Sequence, residues 1–404
     1  MKYIVLLGDG MADRPLRELG GKTPLQAAST PNMDRLASEG TSGKVRTVPE
    51  GMPPGSDVAN LSILGYDPRK YYSGRAPLEA SSIGVKLADE DVAFRCNFVT
   101  LKFDSERARA VMEDYSSGHI TTEEAAELIR EIDRRLGSGT IRFYPGVSYR
   151  HLMVWSGGPV DTKCTPPHDI IGRDIEEYLP AGNGEDVLRK IMTDSIGILE
   201  AHPVNRERIN KGKNPGNSVW LWGQGRRPAL PTFKEKYGIT GSLVSAVDLT
   251  RGLGIYAGFR ILDVPGITGY LDTNYEGKAD AALESLRTAD FVYIHVEAPD
   301  EAGHSGKYQD KVKAIEDFDA RVVGRVMSNA DKLGDYRILL LPDHPTPIEL
   351  RTHTGDPVPF VLFDSSDRRR NEGAKFSEEM LSRQDLLSFE EGYRLMDYFI
   401  RGAK

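Results

Sequence analysis

Four short, nearly unbroken apolar runs constrain this chain most. They are Tyr3 to Leu7 near one end, and Phe291 to Val296, Arg337 to Leu341 and Pro359 to Phe363 towards the other. Each is shorter than an ordinary helix and lacks polar alternation, so each reads as a strand buried on both faces. Such strands need helices above and below them. Two helix starts follow the first run, Thr23-Pro24 and Thr30-Pro31, each placing a capping threonine before a proline whose missing N–H costs nothing in a first turn. The second helix runs through Met33 and Leu36 to a stop at Gly40. Between the later runs, Val312, Ile315, Phe318, Val322, Val323 and Val326 recur at helical spacing within Lys311 to Met327. Strands alternating with helices predict an α/β fold with a mainly parallel sheet and helices on both faces.

The middle of the chain has a different texture. After Gly74-Arg75-Ala76-Pro77 come alternating or mixed strand patterns at Val92 to Lys102 and Tyr149 to Trp155, and a charged amphipathic helix from Thr122 to Leu136 closed by Gly137. A loop-rich zone rich in Gly, Pro and Lys or Arg, 211–216 and 223–228, precedes the return to strand and helix signals. With 404 residues the chain exceeds one ordinary core. The pattern predicts a discontinuous α/β domain, 1–75 and 230–404, interrupted by a second, smaller α/β domain over 76–229.

Charge and cysteine usage bound the partners. The chain carries 52 Lys+Arg against 60 Asp+Glu, a net charge of −8, so it offers no basic surface for nucleic acid. An anionic substrate must then be held by local cations, against the sign of the whole molecule. Cys96 and Cys164 cannot build a disulfide framework, and a reducing, cytoplasmic setting is expected. No run approaches the roughly 18 apolar residues of a membrane span, and the opening apolar run is too short for a signal peptide.

Carboxylates and imidazoles fall where the apolar runs end. Asp9 follows the first run, Asp300 and His304 follow the run ending at Val296, and Asp343 and His344 follow the run ending at Leu341, with His353 nine residues later. Ligand sites of open parallel sheets lie beyond the carboxyl ends of their strands. Any one of these acids is readable as a helix cap or turn residue. Together, Asp and His donors in that number suit a two-metal site, imidazole with carboxylate favouring Mn²⁺ or Zn²⁺ and oxygen-rich positions Mg²⁺. Ser56, in Pro53-Pro54-Gly55-Ser56-Asp57, precedes a helical pattern that ends at Gly65. It reads either as a helix cap or as a nucleophile at a helix start that favours a phosphoryl group, activated by a metal rather than by a triad.

These stretches, Gly8-Asp9-Gly10-Met11, Thr30-Pro31-Asn32-Met33-Asp34-Arg35-Leu36-Ala37, Gly55-Ser56-Asp57, Asp300 with His304, and Asp343-His344 with His353, resemble the alkaline phosphatase superfamily. With Val296-Glu297-Ala298-Pro299-Asp300-Glu301-Ala302-Gly303-His304, Trp220-Leu221-Trp222-Gly223-Gln224-Gly225 and Thr165-Pro166-Pro167-His168-Asp169, the chain is similar, nearly end to end, to the archaeal-type 2,3-bisphosphoglycerate-independent phosphoglycerate mutases. The resemblance implies an alkaline-phosphatase-like sheet and the interconversion of 3-phosphoglycerate and 2-phosphoglycerate through a phosphoserine at Ser56, without 2,3-bisphosphoglycerate. It implies two divalent cations (Mn²⁺, Mg²⁺ or Zn²⁺), one on Asp300, His304 and His353 and one on Asp9, Ser56, Asp343 and His344. It also implies that the interrupting domain carries the sugar-acid site, with His119, Arg150, His168, Asp169, Arg226 and Lys236 as substrate contacts; closure of that domain is expected to retain the glycerate and keep water from the phosphoserine. A metal-dependent phosphomonoesterase or another phosphomutase on the same core is the alternative, because the metal residues would be the same.

Overall fold

The run Tyr3 to Leu7 lies at the centre of an eight-stranded sheet. In the computed structural model, which describes residues 1–371, 373–383 and 386–402, the strands lie in the order Leu387–Phe389, Thr41–Val45, Val358–Asp364, Tyr336–Leu341, Lys2–Gly8, Phe291–Val296, Gly241–Val244, Arg260–Ile261. Lys2–Gly8 pairs in parallel with both its neighbours, Tyr3 opposite Phe291 on one side and Arg337 on the other. Val358–Asp364 alone runs against the rest, antiparallel to Tyr336–Leu341 and to Thr41–Val45. Its beginning therefore lies at the same edge of the sheet as the ends of the other strands. That reversal brings the loop before it, with His353, to the carboxyl edge.

The sheet sorts its side chains by the period of two. Ile4, Leu6, Val292, Ile294, Val296, Ile338 and Leu340 pack on one face with Phe318, Val322 and Val326. Those three belong to one continuous helical stretch: Tyr308–Asp317, a π-helical turn Phe318–Val323, and Gly324–Ala330. The alternate residues Tyr293 and His295 turn to the other face. There the Tyr293 hydroxyl donates to Asn60 Oδ1 at 2.5 Å, on the helix Ser56–Ile63.

The helix starts divide between local and distant capping. Thr23 caps Pro24–Ala27 with a full capping box. Thr30 makes no side-chain cap to Pro31–Glu39, contrary to the sequence reading. The carboxylate of Asp319, in the π turn, does so instead: it accepts from the Met33 amide at 2.7 Å and from the Asn32 amide and side chain. An ionised acid aimed at three donors and at the positive end of the helix dipole outcompetes a threonine hydroxyl.

The chain divides into two compact units, Met1–Tyr72 with Ala229–Lys404, and Ser73–Pro228. The second unit is built on a five-stranded sheet in which every pairing is antiparallel. Its long strand Asp91–Phe103 pairs with Arg150–Ser156 and Ser218–Gly225 over its first part and with Ala110–Asp114 at its end. The helix Thr122–Leu136, closed at its start by a Thr121–Glu124 capping box, buries Leu128, Ile129 and Ile132 in a core shared with Phe94, Phe98, Leu188 and Trp220. Among the described residues, no helix is long and apolar enough to cross a membrane.

Candidate metal and nucleophile site

Asp9, Asp300, Asp343, His344 and Ser56 are all brought to the carboxyl edge of the eight-stranded sheet and buried there. Gly10 explains how the chain can turn so tightly after the first strand. Its φ of +59° is left-handed, and a Cβ there would stand 2.3 Å from Asp300 Oδ1. Only glycine combines that backbone with that approach.

Asp300 and His304 face the same way, four residues apart on the helix Ala298–Ser305, with His304 Nε2 3.1 Å from Asp300 Oδ2. His353 Nε2 lies 2.9 Å from His304 Nε2 and 3.6 Å from Asp300 Oδ1. His304 Nδ1 is 3.0 Å from the Arg351 carbonyl, an acceptor only. Nδ1 therefore carries the proton, and in the neutral ring Nε2 presents its lone pair towards His353. Thr346 Oγ1 donates to Asp300 Oδ1.

Ser56 is the first residue of its helix and Gly55 the cap, so the hydroxyl is not used for capping. It lies 3.1 Å from His344 Nε2. His344 Nε2 is in turn 3.6 Å from Asp9 Oδ1 and 3.5 Å from Asp343 Oδ2. Asp343 is tied down by the Gly10 and His344 amides on Oδ1 and by Asn60 on Oδ2. Asn60 Nδ2 also donates to the Ser56 carbonyl at 2.8 Å, which fixes the nucleophile's turn to the Asp343 strand end. The sequence reading did not single out Asn60, Tyr293, Thr346 or His295. Each becomes visible only when strand, helix and loop are brought together.

The electrostatics are those of a site built for cations. Burial raises the Asp9 carboxyl well above its ordinary range, and Asp343, Asp300 and Glu297 add to the effect. Burial also opposes ionisation of Asp300, but its hydrogen bonds from His304 and His353 outweigh it and hold the carboxyl well below its usual range. His304 is desolvated yet raised to about 9 by the Asp300 carboxylate. Burial lowers His344. Asp9 Oδ1 is buried and, among the described residues, has no hydrogen-bond partner.

Three overlapping groups bring their donor atoms within 4.8 Å of one another: Asp300, His304 and His353; Asp9, Asp300 and His344; and Asp9, His295 and Asp343. Two ligands of one cation at ~2.1 Å lie roughly 3.0–3.4 Å apart. The contacts of 2.9 to 3.6 Å between these ligand atoms bracket that spacing. The residues present fit divalent metal ions.

The expected substrate contacts are distributed differently. His119, Arg150, His168 and Asp169 are exposed residues of the second unit. They meet around a set of rings: His168 packs edge-on against Trp222 (centroids 5.2 Å) and Tyr115 (6.1 Å), and His119 against Tyr149 (6.3 Å). The Arg150 guanidinium lies 5.3 Å from the Tyr149 ring, and the buried Arg95, which was not anticipated, lies 4.2 Å from Trp222. Burial, helped by Arg95 and Arg75, holds His168 below its ordinary value against the pull of Asp169. His119 has φ +50° and does not cap the helix after it, because Thr121 does. Arg226 is exposed. Lys236 is not brought to Ser56. Its ammonium donates to the Gly65 carbonyl beyond the far end of the Ser56 helix, nine residues and about 13 Å along its axis.

A serine at a helix start, among carboxylates and imidazoles at the carboxyl edge of a mainly parallel sheet, is the arrangement of a metal-dependent group-transfer enzyme. More closely, the chain belongs to the family of 2,3-bisphosphoglycerate-independent phosphoglycerate mutases. The profile of that description matches residues 37–205. A probable 2,3-bisphosphoglycerate-independent phosphoglycerate mutase of Geobacter sulfurreducens is 56% identical, over 99% of this chain and 100% of that one. The mutase of Methanosarcina acetivorans is 54% identical over 94% of each. Among solved structures, a cofactor-independent phosphoglycerate mutase from Thermoplasma acidophilum superposes with TM-score 0.67 at 29% identity, covering 100% of both chains. A Pyrococcus horikoshii protein superposes with TM-score 0.83, also at 29% identity, covering 100% of this chain and 98% of the other.

Proposed function

We propose that this chain interconverts 3-phosphoglycerate and 2-phosphoglycerate in the cytoplasm, through a phosphoserine at Ser56, with two divalent cations and no 2,3-bisphosphoglycerate. The observation that carries the reading is the Ser56 hydroxyl at its helix start, 3.1 Å from His344 and beside the Asp9–Asp300–Asp343 carboxylates. Near end-to-end identity to named mutases supports the same substrate.

One cation is held by Asp300, His304 and His353, and the other by Asp9, Ser56, Asp343 and His344. Mn²⁺ or Zn²⁺ suits the imidazoles and Mg²⁺ the carboxylates. When bound, the cations lower the pKa of the serine hydroxyl and offset the charge on the phosphoryl oxygens. Ser56 Oγ then forms its bond to phosphorus as the bond to the glycerate oxygen breaks, the helix start stabilising the transferred group. Asn60 holds the Ser56 turn in place through the reaction. Glycerate keeps its carboxylate on Arg150 and Arg226, while His168 and Asp169 orient its hydroxyls. Asp169 or His119 delivers the proton to the departing oxygen and withdraws one from the neighbouring hydroxyl, which takes the phosphoryl group back from Ser56. Excluding water from the phosphoserine separates mutase from phosphatase.

Phosphorus NMR of metal-loaded protein with 3-phosphoglycerate and no bisphosphate tests the reading. A 2-phosphoglycerate signal is expected. Free phosphate instead makes the protein a phosphomonoesterase, and full turnover by Ser56→Ala removes the covalent scheme. Asp300→Ala is expected to lose metal, whereas His168→Ala keeps metal and loses mutase activity.

A further inference from the structure

We infer that His295 is a direct ligand of the cation that Asp9 and Asp343 hold, so that this site has two imidazoles, from His344 and His295, and selects a transition-metal ion over Mg²⁺. The inference rests on the two-cation reading above and adds to it a residue and a selectivity.

His295 is the penultimate residue of the strand Phe291–Val296 and is fully buried. By alternation with Ile294 it turns, like Tyr293, to the face of the Ser56 helix. Its register partner on the first strand is Leu7, two residues before Asp9. The residue is held at the ring's Nδ1 and at its backbone carbonyl. Nδ1 is 3.2 Å from Ser245 Oγ, which already accepts the Val247 amide at 3.0 Å, and the His295 carbonyl accepts from the buried ammonium of Lys278 at 2.9 Å.

What remains is Nε2. It stands 3.0 Å from Asp9 Oδ2, yet among the described residues it makes no hydrogen bond. The other Asp9 oxygen is also buried there without a partner among the described residues. No single ring tautomer satisfies both atoms, since a proton on Nε2 serves one Asp9 oxygen at most and leaves Oδ1 bare. A cation satisfies both at once. The spacing of 3.0 Å is that of two adjacent ligands on one ion, about 3.0 Å for 2.1 Å bonds at a right angle.

Asp343 completes the group, with its donor atom within 4.8 Å of the other two. Its Oδ2 accepts only Asn60 among the hydrogen bonds described above, which leaves a lone pair for an ion. An imidazole added to two carboxylates moves the preference from Mg²⁺ towards Mn²⁺, Co²⁺ or Zn²⁺. His295 therefore sets which metal the site takes as well as how tightly.

The test uses the full chain, stripped of metal, labelled with ¹⁵N-histidine and loaded with ¹¹³Cd²⁺. Scalar coupling to cadmium is expected at the Nε2 atoms of four histidines in the wild type: His304, His353, His344 and His295. His295→Gln is expected to lose one of these, to bind Mn²⁺ at least about tenfold more weakly at one of two sites, and to change less towards Mg²⁺, measured by calorimetry. Coupling at three histidines in the wild type overturns the inference without any variant, so a His295→Gln protein that fails to fold leaves it testable. Equal loss of Mn²⁺ and Mg²⁺ affinity also overturns it, and makes His295 a residue that merely positions Asp9. If the wild type takes up no divalent cation, the two-cation reading itself falls, which is a different result from two cations on three imidazoles.

Discussion

Replacing Lys311 by methionine should destabilise the first unit by about 3 kcal/mol and loosen the metal site without touching a ligand. Lys311 comes from the helix Tyr308–Asp317, and its side chain and that of Asp13 are wholly buried. The ammonium donates to Asp13 Oδ2 at 2.7 Å, to the Thr346 carbonyl at 2.8 Å and to the Ala12 carbonyl at 3.2 Å. It thereby pins the loop that follows Asp9 to the loop that follows His344. Burial lowers the lysine from its ordinary value, and Asp13 opposes that. Methionine fills the volume but leaves a buried carboxylate unpaired and the Thr346 carbonyl without its donor, while the Ala12 carbonyl keeps the Thr346 amide at 3.1 Å. Breaking a buried pair from one side costs about 3–5 kcal/mol. Asp13 keeps the Arg14 amide at 2.7 Å and the Ile348 amide at 3.2 Å, which places the effect near the lower end.

In the double variant with Asp13→Asn the stranded charge is gone, and roughly half of the loss should return. The assay is urea unfolding in excess chelator, so that cation binding does not mask the difference. All three tryptophans, Trp155, Trp220 and Trp222, belong to the second unit, so circular dichroism at helical wavelengths must be followed alongside fluorescence. A loss below about 1 kcal/mol in the single variant, or an equal loss in single and double variants, refutes the reasoning.

Gly10→Ala combines a left-handed backbone with a Cβ that would meet Asp300 Oδ1 at 2.3 Å. It should cost about 2–4 kcal/mol in chelator and weaken cation binding, and a calorimetric titration matching the wild type would contradict the close-approach argument. Asp319→Ala should cost about 1–2 kcal/mol through loss of the cap on Pro31–Glu39, and Thr30→Ala should cost almost nothing; the reverse order in urea midpoints would return the cap to Thr30. The metal-free protein should lose stability as pH rises from 6.5 to 9.5. His304 is raised to about 9, so its contribution is full below its unfolded value near 6.5 and disappears as pH passes through about 9. Asp9, raised by burial and its acidic neighbours, contributes in the same direction. Midpoints that stay level or increase over that range in chelator would count against the Asp300–His304 pairing.

The sequence by itself determined the strands and which chemistry follows each of them. Apolar runs of five or six residues leave little choice of structure, and Asp9, Asp300 and Asp343 come within a few residues of a strand end, where short loops cannot carry them far. The same local logic placed Thr23 at its helix start, because a capping box closes within four residues. What lay beyond sequence reasoning was decided by partners distant in the chain. His353 reaches the site because one strand runs backwards, which depends on pairing between Val358–Asp364 and two strands far apart in sequence. Thr30 lost its cap to Asp319, 289 positions away, and Lys236 was drawn to the Gly65 carbonyl instead of the nucleophile. His295 looked like one more residue of an apolar run. Only the register of the sheet, which sets Phe291–Val296 beside Lys2–Gly8, turns its imidazole onto Asp9. Propensity and spacing act over a few residues, whereas burial in a pocket is a property of all the strands and helices that enclose it.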